Sequence, residues 1–397
     1  MPRSLSSPSF LLLLGATALG FGGYALLLPV VPLWVARGGS GAFGAGLTTG
    51  VLMAVTVGTQ LLVPALLRRA GHRAVLVIGS LLLGLPTPLL ALSAELAPVL
   101  AVSAVRGIGF GMATVAGSAL VAELVEPSAH GRASARYGYA VGVPQLALLP
   151  AGVAVVDLTG FAGVFLAAGI APVAGALVVA FVRGPHRGRL AARRPASAPP
   201  SRSARPSRSA RLAGHPRAPR HRLPAAPVLA MLACSTAQGG VITFAPLAVP
   251  GAPAAVPTAL FATALGALLG RGFAGARADR SGRPGALLPA GTLIAGAGMA
   301  GVLAAPLSAV LLVAGAAAVG IGFGVVQNDA LVALFAAAGP LHYGQASAAW
   351  NIAFDAGTGL GATGLGAIAE PFGYLAAFGT AAAVLLGVTP LVRRRSG

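Results

Sequence analysis

The sequence has very little charge, a single cysteine and no lysine. Charged residues make up 9% of the 397 positions, and all 27 basic residues are arginine. A lone cysteine, Cys234, excludes a disulfide framework and a cysteine-based metal site. The chain also lacks a P-loop lysine, a metal-binding H-E-x-x-H helix and a convincing nucleophile–base–acid set. The sequence therefore predicts no ATP-driven pump, no enzyme, and no bound metal or other cofactor.

Long apolar segments dominate what is present. Hydrophobic residues make up 56% of the chain, and the mean hydropathy is +0.85. A helix in lipid satisfies its own backbone hydrogen bonds and needs about 20 apolar residues to cross. Twelve such runs can be drawn: 9–35, 45–67, 74–93, 97–121, 136–156, 162–182, 226–249, 254–276, 285–304, 308–335, 346–368 and 373–392. The sequence predicts an all-α membrane protein with twelve transmembrane helices.

The arginines indicate how these helices are oriented. If the N-terminus lies in the cytoplasm, the inside segments hold nearly every arginine, and the outside loops hold only Arg37. An excess of arginine in short loops marks the cytoplasmic side of a membrane protein. The pattern predicts a multi-pass plasma-membrane protein with both termini in the cytoplasm, and it is consistent with an even number of helices.

The chain contains an internal repeat. Three segments align: residues 107–111 with 320–324, residues 131–135 with 344–348, and Gly71 with Gly282. The first two pairs are both 213 positions apart, which indicates two related halves of six helices each. Two parallel six-helix repeats are typical of transporters whose site lies between the halves. We expect an N-terminal half at 1–182 and a C-terminal half at 225–397.

A basic segment at residues 183–224 separates the two halves. Residues 183–222 contain twelve arginines and no acidic residue, and no apolar periodicity continues through them. This composition predicts a disordered cytoplasmic linker. Its simplest role is to tether the two halves to each other on the cytoplasmic side of the membrane. Contact with anionic lipid is the alternative role.

The segment between the eighth and ninth apolar runs contains a short motif. It reads G-A-R-A-D-R-S-G-R from Gly275, and its key positions are Gly275, Asp279, Arg280, Gly282 and Arg283. This resembles the G-x-x-x-D-R-x-G-R signature of the major facilitator superfamily, and the resemblance extends over essentially the whole chain. In that family the motif forms a loop that acts as a cytoplasmic latch. The first-half copy departs from it, with Pro64 at the first glycine and Arg68 at the acidic position.

Two further features are similar to drug:proton antiporters of that family. Arg106, followed by glycines in the fourth helix, resembles a membrane arginine associated with proton coupling. The fifth helix contains glycines and prolines, although it lacks a contiguous Gly-Pro step. The resemblance implies a twelve-helix efflux permease that works by alternating access.

Ionisable residues inside lipid usually face a cavity or a partner. In the eleventh helix, Asp355 lies on a polar stripe with Ser347, Asn351 and Thr358 at helical spacing. A carboxylate on that face can carry a proton, or it can make a helix-packing hydrogen bond beside neighbouring glycines. We take three residues as proton-coupling candidates: Asp355, Arg106 and Asp329.

Polar residues elsewhere in the helices are candidates for lining a substrate cavity. Their positions are Tyr24, Thr56, Gln60, Gln145, Gln238, Asn351 and Thr358. Thr56 and Gln60 are four residues apart and therefore share one face of the second helix. Such residues also serve simply for packing in glycine- and alanine-rich helices.

These observations favour a secondary transporter that exports small organic compounds in exchange for protons. Uptake of a nutrient or metabolite by symport or facilitated diffusion is the alternative within transport, because one fold serves many substrates. A non-transporting membrane sensor or interaction protein is the alternative of another class. The expected partners are a small-molecule substrate, protons and the lipid bilayer. We expect no nucleic acid partner and a monomeric state.

Overall fold

The computed structural model describes residues 5–125, 130–182, 223–249, 254–281, 283–338 and 343–395. Nearly all of these residues are helical, and no strand occurs among them. The first group of helices is α1 (Pro8–Leu27), α2 (Val30–Arg37), α3 (Gly41–Ala70), α4 (His72–Gly84), α5 (Leu96–Leu124) and α6 (His130–Ala180). The second group is α7 (Ala225–Ala248), α8 (Ala255–Ser281), α9 (Leu288–Leu303), α10 (Ala309–Ala338) and α11 (Tyr343–Arg395).

Two of the long helices are each long enough to cross a membrane twice. Helix α6 bends at Gly160, with φ of 70°, and α11 bends at Gly373, with φ of 82°. A positive φ favours glycine because it has no Cβ, so the chain can reverse there without strain. These two glycines are 213 positions apart, the spacing of the sequence repeat. The repeat therefore extends to the sharp turns between paired helices.

The helices agree with the predicted fold class. Within the described residues, nine segments are long and apolar enough to cross a membrane, and two of them contain the bends at Gly160 and Gly373. Together with the shorter apolar helix α9, these segments are consistent with twelve crossings. The all-α membrane fold is confirmed. The limits proposed for the two halves stay a prediction.

The glycine motifs pack in the same way in both groups of helices. A Cβ on Gly109 of α5 would meet the backbone of Gly79 and Leu83 in α4. A Cβ on Gly322 of α10 would meet the backbone of Gly291 and Ala295 in α9 at 2.5 Å. Small residues allow helix backbones to approach this closely in a membrane. The sequence repeat therefore corresponds to a repeated helix crossing.

The two ends of the bundle differ in charge. We call one end the basic end, where the following arginines lie at helix ends: Arg68, Arg69, Arg73, Arg277, Arg280, Arg283 and Arg393. We call the other the acidic end, and its charged residues include Arg37, Glu95, Asp157 and Glu370. The bundle therefore keeps the charge asymmetry that the sequence predicted.

Helices α3 and α11 join the two groups. At the acidic end, the backbone N–H of Phe43 donates to Glu370 Oε2 at 3.0 Å. Further along, Gly46 packs on the backbone of Ala362, and Thr363 Oγ1 donates to the Gly46 carbonyl at 3.4 Å. The contacts continue to Gln60 and Asp355 near the middle of the bundle. One helix from each group thus forms a continuous seam.

The signature segment differs from its prediction in one respect. We expected residues 275–283 to form a loop, but α8 continues through Ser281, so residues 275–281 are its last turns. Arg280 is exposed at this end of the helix. Gly282 and the side chain of Asp279 lie outside the described residues, as does the linker at 183–222. The latch and the tether therefore stay predictions.

Substitution at a crossing glycine should cost stability. Gly322→Ala places a methyl group against the backbone of α9, and overpacking of this kind costs about 1–3 kcal/mol. We expect a lower Tm for the detergent-solubilised protein. Gly364→Ala is the matched control because a Cβ there meets nothing within 4 Å. An unchanged Tm for Gly322→Ala would contradict the close crossing.

Candidate functional site

Asp355 lies at the middle of the seam between α3 and α11. Its carboxylate is 3% exposed and accepts a hydrogen bond from Gln60 Nε2 at 2.8 Å. Gln60 is neutral, so this bond does not cancel the charge of an ionised Asp355. The pair joins two of the predicted site residues across the two groups of helices. It also combines the two alternatives from the sequence, because the candidate proton carrier itself makes a helix-packing hydrogen bond.

Gln60 connects this pair to α5. Its Nε2 also lies 3.3 Å from Thr114 Oγ1, and Thr114 in turn donates to the Phe110 carbonyl at 3.0 Å. Thr56, one turn away on α3, donates to the Gly107 carbonyl of α5 at 3.1 Å. Thr56 is therefore occupied in holding α3 against α5. Gln60 keeps a buried Oε1 atom without a hydrogen-bond partner.

Tyr24 on α1 lies near both predicted charges. Its ring stacks on Phe110, with centroids 4.1 Å apart and an interplanar angle of 12°. The Tyr24 hydroxyl is within electrostatic range of both Asp355 and Arg106. Aromatic packing fixes the ring and leaves its polar tip near the two charges. The structure thus brings Tyr24, Arg106 and Asp355 into one region.

Arg106 is buried without an acidic partner. Its side chain is 2% exposed, and its Nε has no hydrogen-bond partner. No carboxylate in the described part of the chain lies within 4.0 Å of its guanidinium. Arg106 lines a small cavity of about 10 Å³, which has room for about one water molecule. The other lining residues are Tyr24, Leu27, Leu28, Val31, Thr48, Thr49, Leu52 and Ser103.

Asp329 has a different environment. Its carboxylate oxygens accept hydrogen bonds from the backbone N–H groups of Gly285, at 3.0 Å, and Leu287, at 2.7 Å. These residues form the turn that precedes α9 at the basic end. The bonds hold α10 to that turn and satisfy backbone donors near a helix start. The geometry supports a structural role for Asp329, and its proposed part in proton coupling stays a prediction.

The remaining candidates are spread over several helices. Asn351 Nδ2 donates to the Ser347 carbonyl at 2.8 Å, and Thr358 Oγ1 donates to the Phe354 carbonyl at 3.0 Å. Both side chains therefore satisfy part of their hydrogen bonding within their own helix. Gln145 and Gln238 are half-buried and make no hydrogen bond to another described residue. They stay predicted cavity residues.

An apolar cluster contacts both the Arg106 cavity and a vestibule at the acidic end. Leu149, Ile242, Val256 and Leu260 are buried together, and Leu28 packs against them. We call this cluster the plug. Next to it lies a vestibule of about 420 Å³ lined by both groups of helices, including Arg37 and Asp157 from one group and Tyr374 from the other. Leu28 of the plug lines the Arg106 cavity, and Val256 of the plug lines the vestibule.

The sequence reasoning missed several of these residues. Ser103, Phe110 and Thr114 follow the same face of α5 as Arg106, at helical spacings of three or four residues. That spacing was a usable signal. Thr48 and Thr49 carried no comparable signal, because only the packing of α3 against α2 and α5 directs them into the cavity.

The site combines an ionisable carboxylate with a buried guanidinium. Asp355 can bind a proton, and the Arg106 cavity offers hydroxyl and guanidinium groups. Within the described residues, no group of three or more His, Cys, Asp or Glu side chains could hold a metal ion.

Known proteins with the same fold are membrane transporters. A family model described as Major Facilitator Superfamily matches residues 13–362. A bacterial homologue of the human lysosomal transporter Spinster, solved inward-facing and unoccupied, is 17% identical with a TM-score of 0.72. The alignment covers 98% of this chain and 95% of that chain. No curated protein sequence matches significantly.

Two peptide-transporter structures are similar at the same level. A peptide transporter POT in complex with sulfate is 14% identical over 99% of this chain and 96% of that one, with a TM-score of 0.75. A POT family transporter in complex with 5-aminolevulinic acid is 14% identical over 100% and 98%, also with a TM-score of 0.75. At such identity these structures show the fold alone. Because the family model matches most of the length, this chain belongs to the major facilitator superfamily of membrane transporters.

Proposed function

We propose that this protein is a proton-coupled secondary transporter that exports small organic compounds by alternating access. The observation that carries the proposal is the Gln60–Asp355 pair. A buried carboxylate bound only to a neutral amide can lose or gain a proton without a fixed countercharge. Because the pair joins the two groups of helices, its protonation state bears directly on how they fit together.

Proton binding and helix movement are coupled through this seam. When Asp355 is ionised, its hydrogen bond to Gln60 is charge-assisted and therefore stronger. Protonation weakens that bond and removes a charge from the middle of the membrane. A transporter needs two arrangements with a small free-energy difference between them, and a ligand that prefers one shifts the populations. Asp355 is placed to provide that preference.

The plug and the Glu370 contact support a barrier at the acidic end. The plug excludes water by apolar packing, and Glu370 holds the start of α3 through the Phe43 N–H. Opening toward this side requires both contacts to separate. The arginine distribution supports the basic end as cytoplasmic. Resemblance to drug:proton antiporters favours export as the direction.

Removing the proton-binding group should uncouple transport. Asp355→Asn keeps the size of the side chain and an oxygen that can accept from Gln60, but an amide cannot carry a proton. We expect transport driven by a pH gradient in proteoliposomes to fall to background for any compound that the wild type moves. Exchange of the same compound without a gradient should continue, and the Tm should change little.

The matched control is Asp329→Asn, which also replaces a buried carboxylate. It weakens the two backbone hydrogen bonds at the turn before α9, so we expect a lower Tm with coupling retained. Full pH-driven transport by Asp355→Asn would refute the proposal. If Asp329→Asn loses coupling and Asp355→Asn does not, the proton site is Asp329.

Weakening the Glu370 contact should expose the cavity from the acidic end. Glu370→Gln removes a negative charge that interacts favourably with the N-terminal end of the α3 dipole. This interaction stabilises the contact by up to about 1 kcal/mol. A reporter cysteine replaces Thr49 in a chain with Cys234→Ala. We expect a membrane-impermeant maleimide added at the acidic end to react roughly fivefold faster.

The control for this measurement is Glu95→Gln. Glu95 is exposed at the same end, and its side chain makes no capping bond to α5. It should leave the labelling rate unchanged. Equal rates in all three proteins would mean that Glu370 does not contribute to the barrier.

A further inference from the structure

The vestibule at the acidic end contains two opposite charges that do not pair with each other. Arg37 of α2 and Asp157 of α6 both line it, and both residues are exposed. Within the described residues, neither side chain has an ion-pair partner within 4.0 Å. Neither charge is therefore neutralised by a neighbouring side chain. Each is available to a ligand that carries the complementary charge.

Aromatic packing holds the Arg37 guanidinium in place at the vestibule. Its Cζ lies over the Phe161 ring, 5.0 Å from the centroid. Phe161 packs against Trp34 with ring centroids 4.7 Å apart, and Trp34 Nε1 donates to the Ser93 carbonyl at 3.1 Å. An arginine on an aromatic ring can still donate from the N–H groups at the edge of its guanidinium. Arg37 is therefore positioned to bind a carboxylate.

The rest of the vestibule indicates the size and character of such a ligand. Its volume of about 420 Å³ falls within the range of small-molecule sites, about 300–1,000 Å³. Apolar side chains from both groups of helices form most of its walls: Leu33, Val153, Val156, Pro246, Leu247, Val249 and Val256. Tyr374 of α11 adds a hydroxyl group. A small molecule with an apolar body and one charge of each sign matches this lining.

We propose that the vestibule binds a small zwitterion with an apolar body, of the class of amino acids with large apolar side chains. The Arg37 guanidinium binds its carboxylate, the Asp157 carboxylate binds its ammonium group, and the apolar walls contact its side chain. The vestibule shares no lining residue with the Arg106 cavity and does not include Asp355. Binding there therefore depends neither on proton coupling nor on the direction of transport.

Binding can be measured by isothermal titration calorimetry on the full-length protein in detergent at neutral pH. The probes are L-phenylalanine and two analogues that each lack one charge: phenethylamine has no carboxylate, and hydrocinnamate has no ammonium group. We expect phenylalanine to bind at least about fivefold more tightly than either analogue. Each analogue loses one charge-assisted hydrogen-bonded contact with the vestibule, which is enough to produce a difference of that order.

Two variants assign each preference to one side chain. In Arg37→Gln, phenylalanine should bind no more tightly than phenethylamine, whereas its preference over hydrocinnamate should persist. In Asp157→Asn, phenylalanine should bind no more tightly than hydrocinnamate, whereas its preference over phenethylamine should persist. Glu95→Gln is the matched control, because Glu95 is exposed at the same end and does not line the vestibule. It should keep both preferences.

A third variant tests the site without changing a charge. Ala36 is partly buried in the vestibule wall beside Arg37. Ala36→Trp should fill part of the volume and weaken binding of phenylalanine at least about fivefold. This variant decides the matter if either charge variant fails to fold.

The outcomes separate this inference from the proposed function. Absence of phenylalanine binding, equal binding of all three compounds by the wild type, or both preferences intact in the two charge variants would overturn the inference. Weaker binding in Asp355→Asn together with unchanged binding in Ala36→Trp would place the ligand in the middle of the bundle and overturn it as well. Crossed loss of the two preferences together with pH-driven transport that survives Asp355→Asn would support the inference and refute the proton-coupling role of Asp355.

Discussion

Hydrocarbon cannot hydrogen-bond, so each polar group inside the bundle must find its partner within the protein or in a bound molecule. Most threonines meet this requirement locally: Thr87 donates to the Leu83 carbonyl and Thr263 to the Ala259 carbonyl, each one turn away. Asp329 meets it through backbone N–H groups. Within the described residues, Arg106 Nε, Ser103 Oγ and Gln60 Oε1 are among the buried atoms that have no hydrogen-bond partner.

The hydrocarbon of the membrane also explains why many of the helix contacts depend on glycine. Association of helices in lipid gains nothing from burying apolar side chains, so it depends on close contact between backbones. The glycines near 109 and 322 allow the same crossing in both groups of helices. The seam between α3 and α11 uses glycine in a different way, because Gly46 and Gly50 let helices from the two groups approach each other.

The site itself does not follow the repeat. The position 213 residues after Arg106 is Val319, and the position 213 residues before Asp355 is Gly142. One group of helices therefore contributes the buried cation and the other the buried carboxylate. The two buried charges therefore break the symmetry of the repeated scaffold.

The sequence alone determined that the protein lies in a membrane, that its fold is all-α and repeated, and which few charges are buried. Hydropathy and glycine spacing can be read directly from the linear sequence. It also identified Arg106, Asp355, Gln60 and Tyr24 as separate candidates. Only the tertiary structure decided which of them meet. Asp355 is 295 positions from Gln60, and nothing local in either helix specifies that contact. Likewise, Asp329 has hydrogen-bond partners and Arg106 Nε has none because of the segments that pack against each side chain. That packing is a property of the folded bundle.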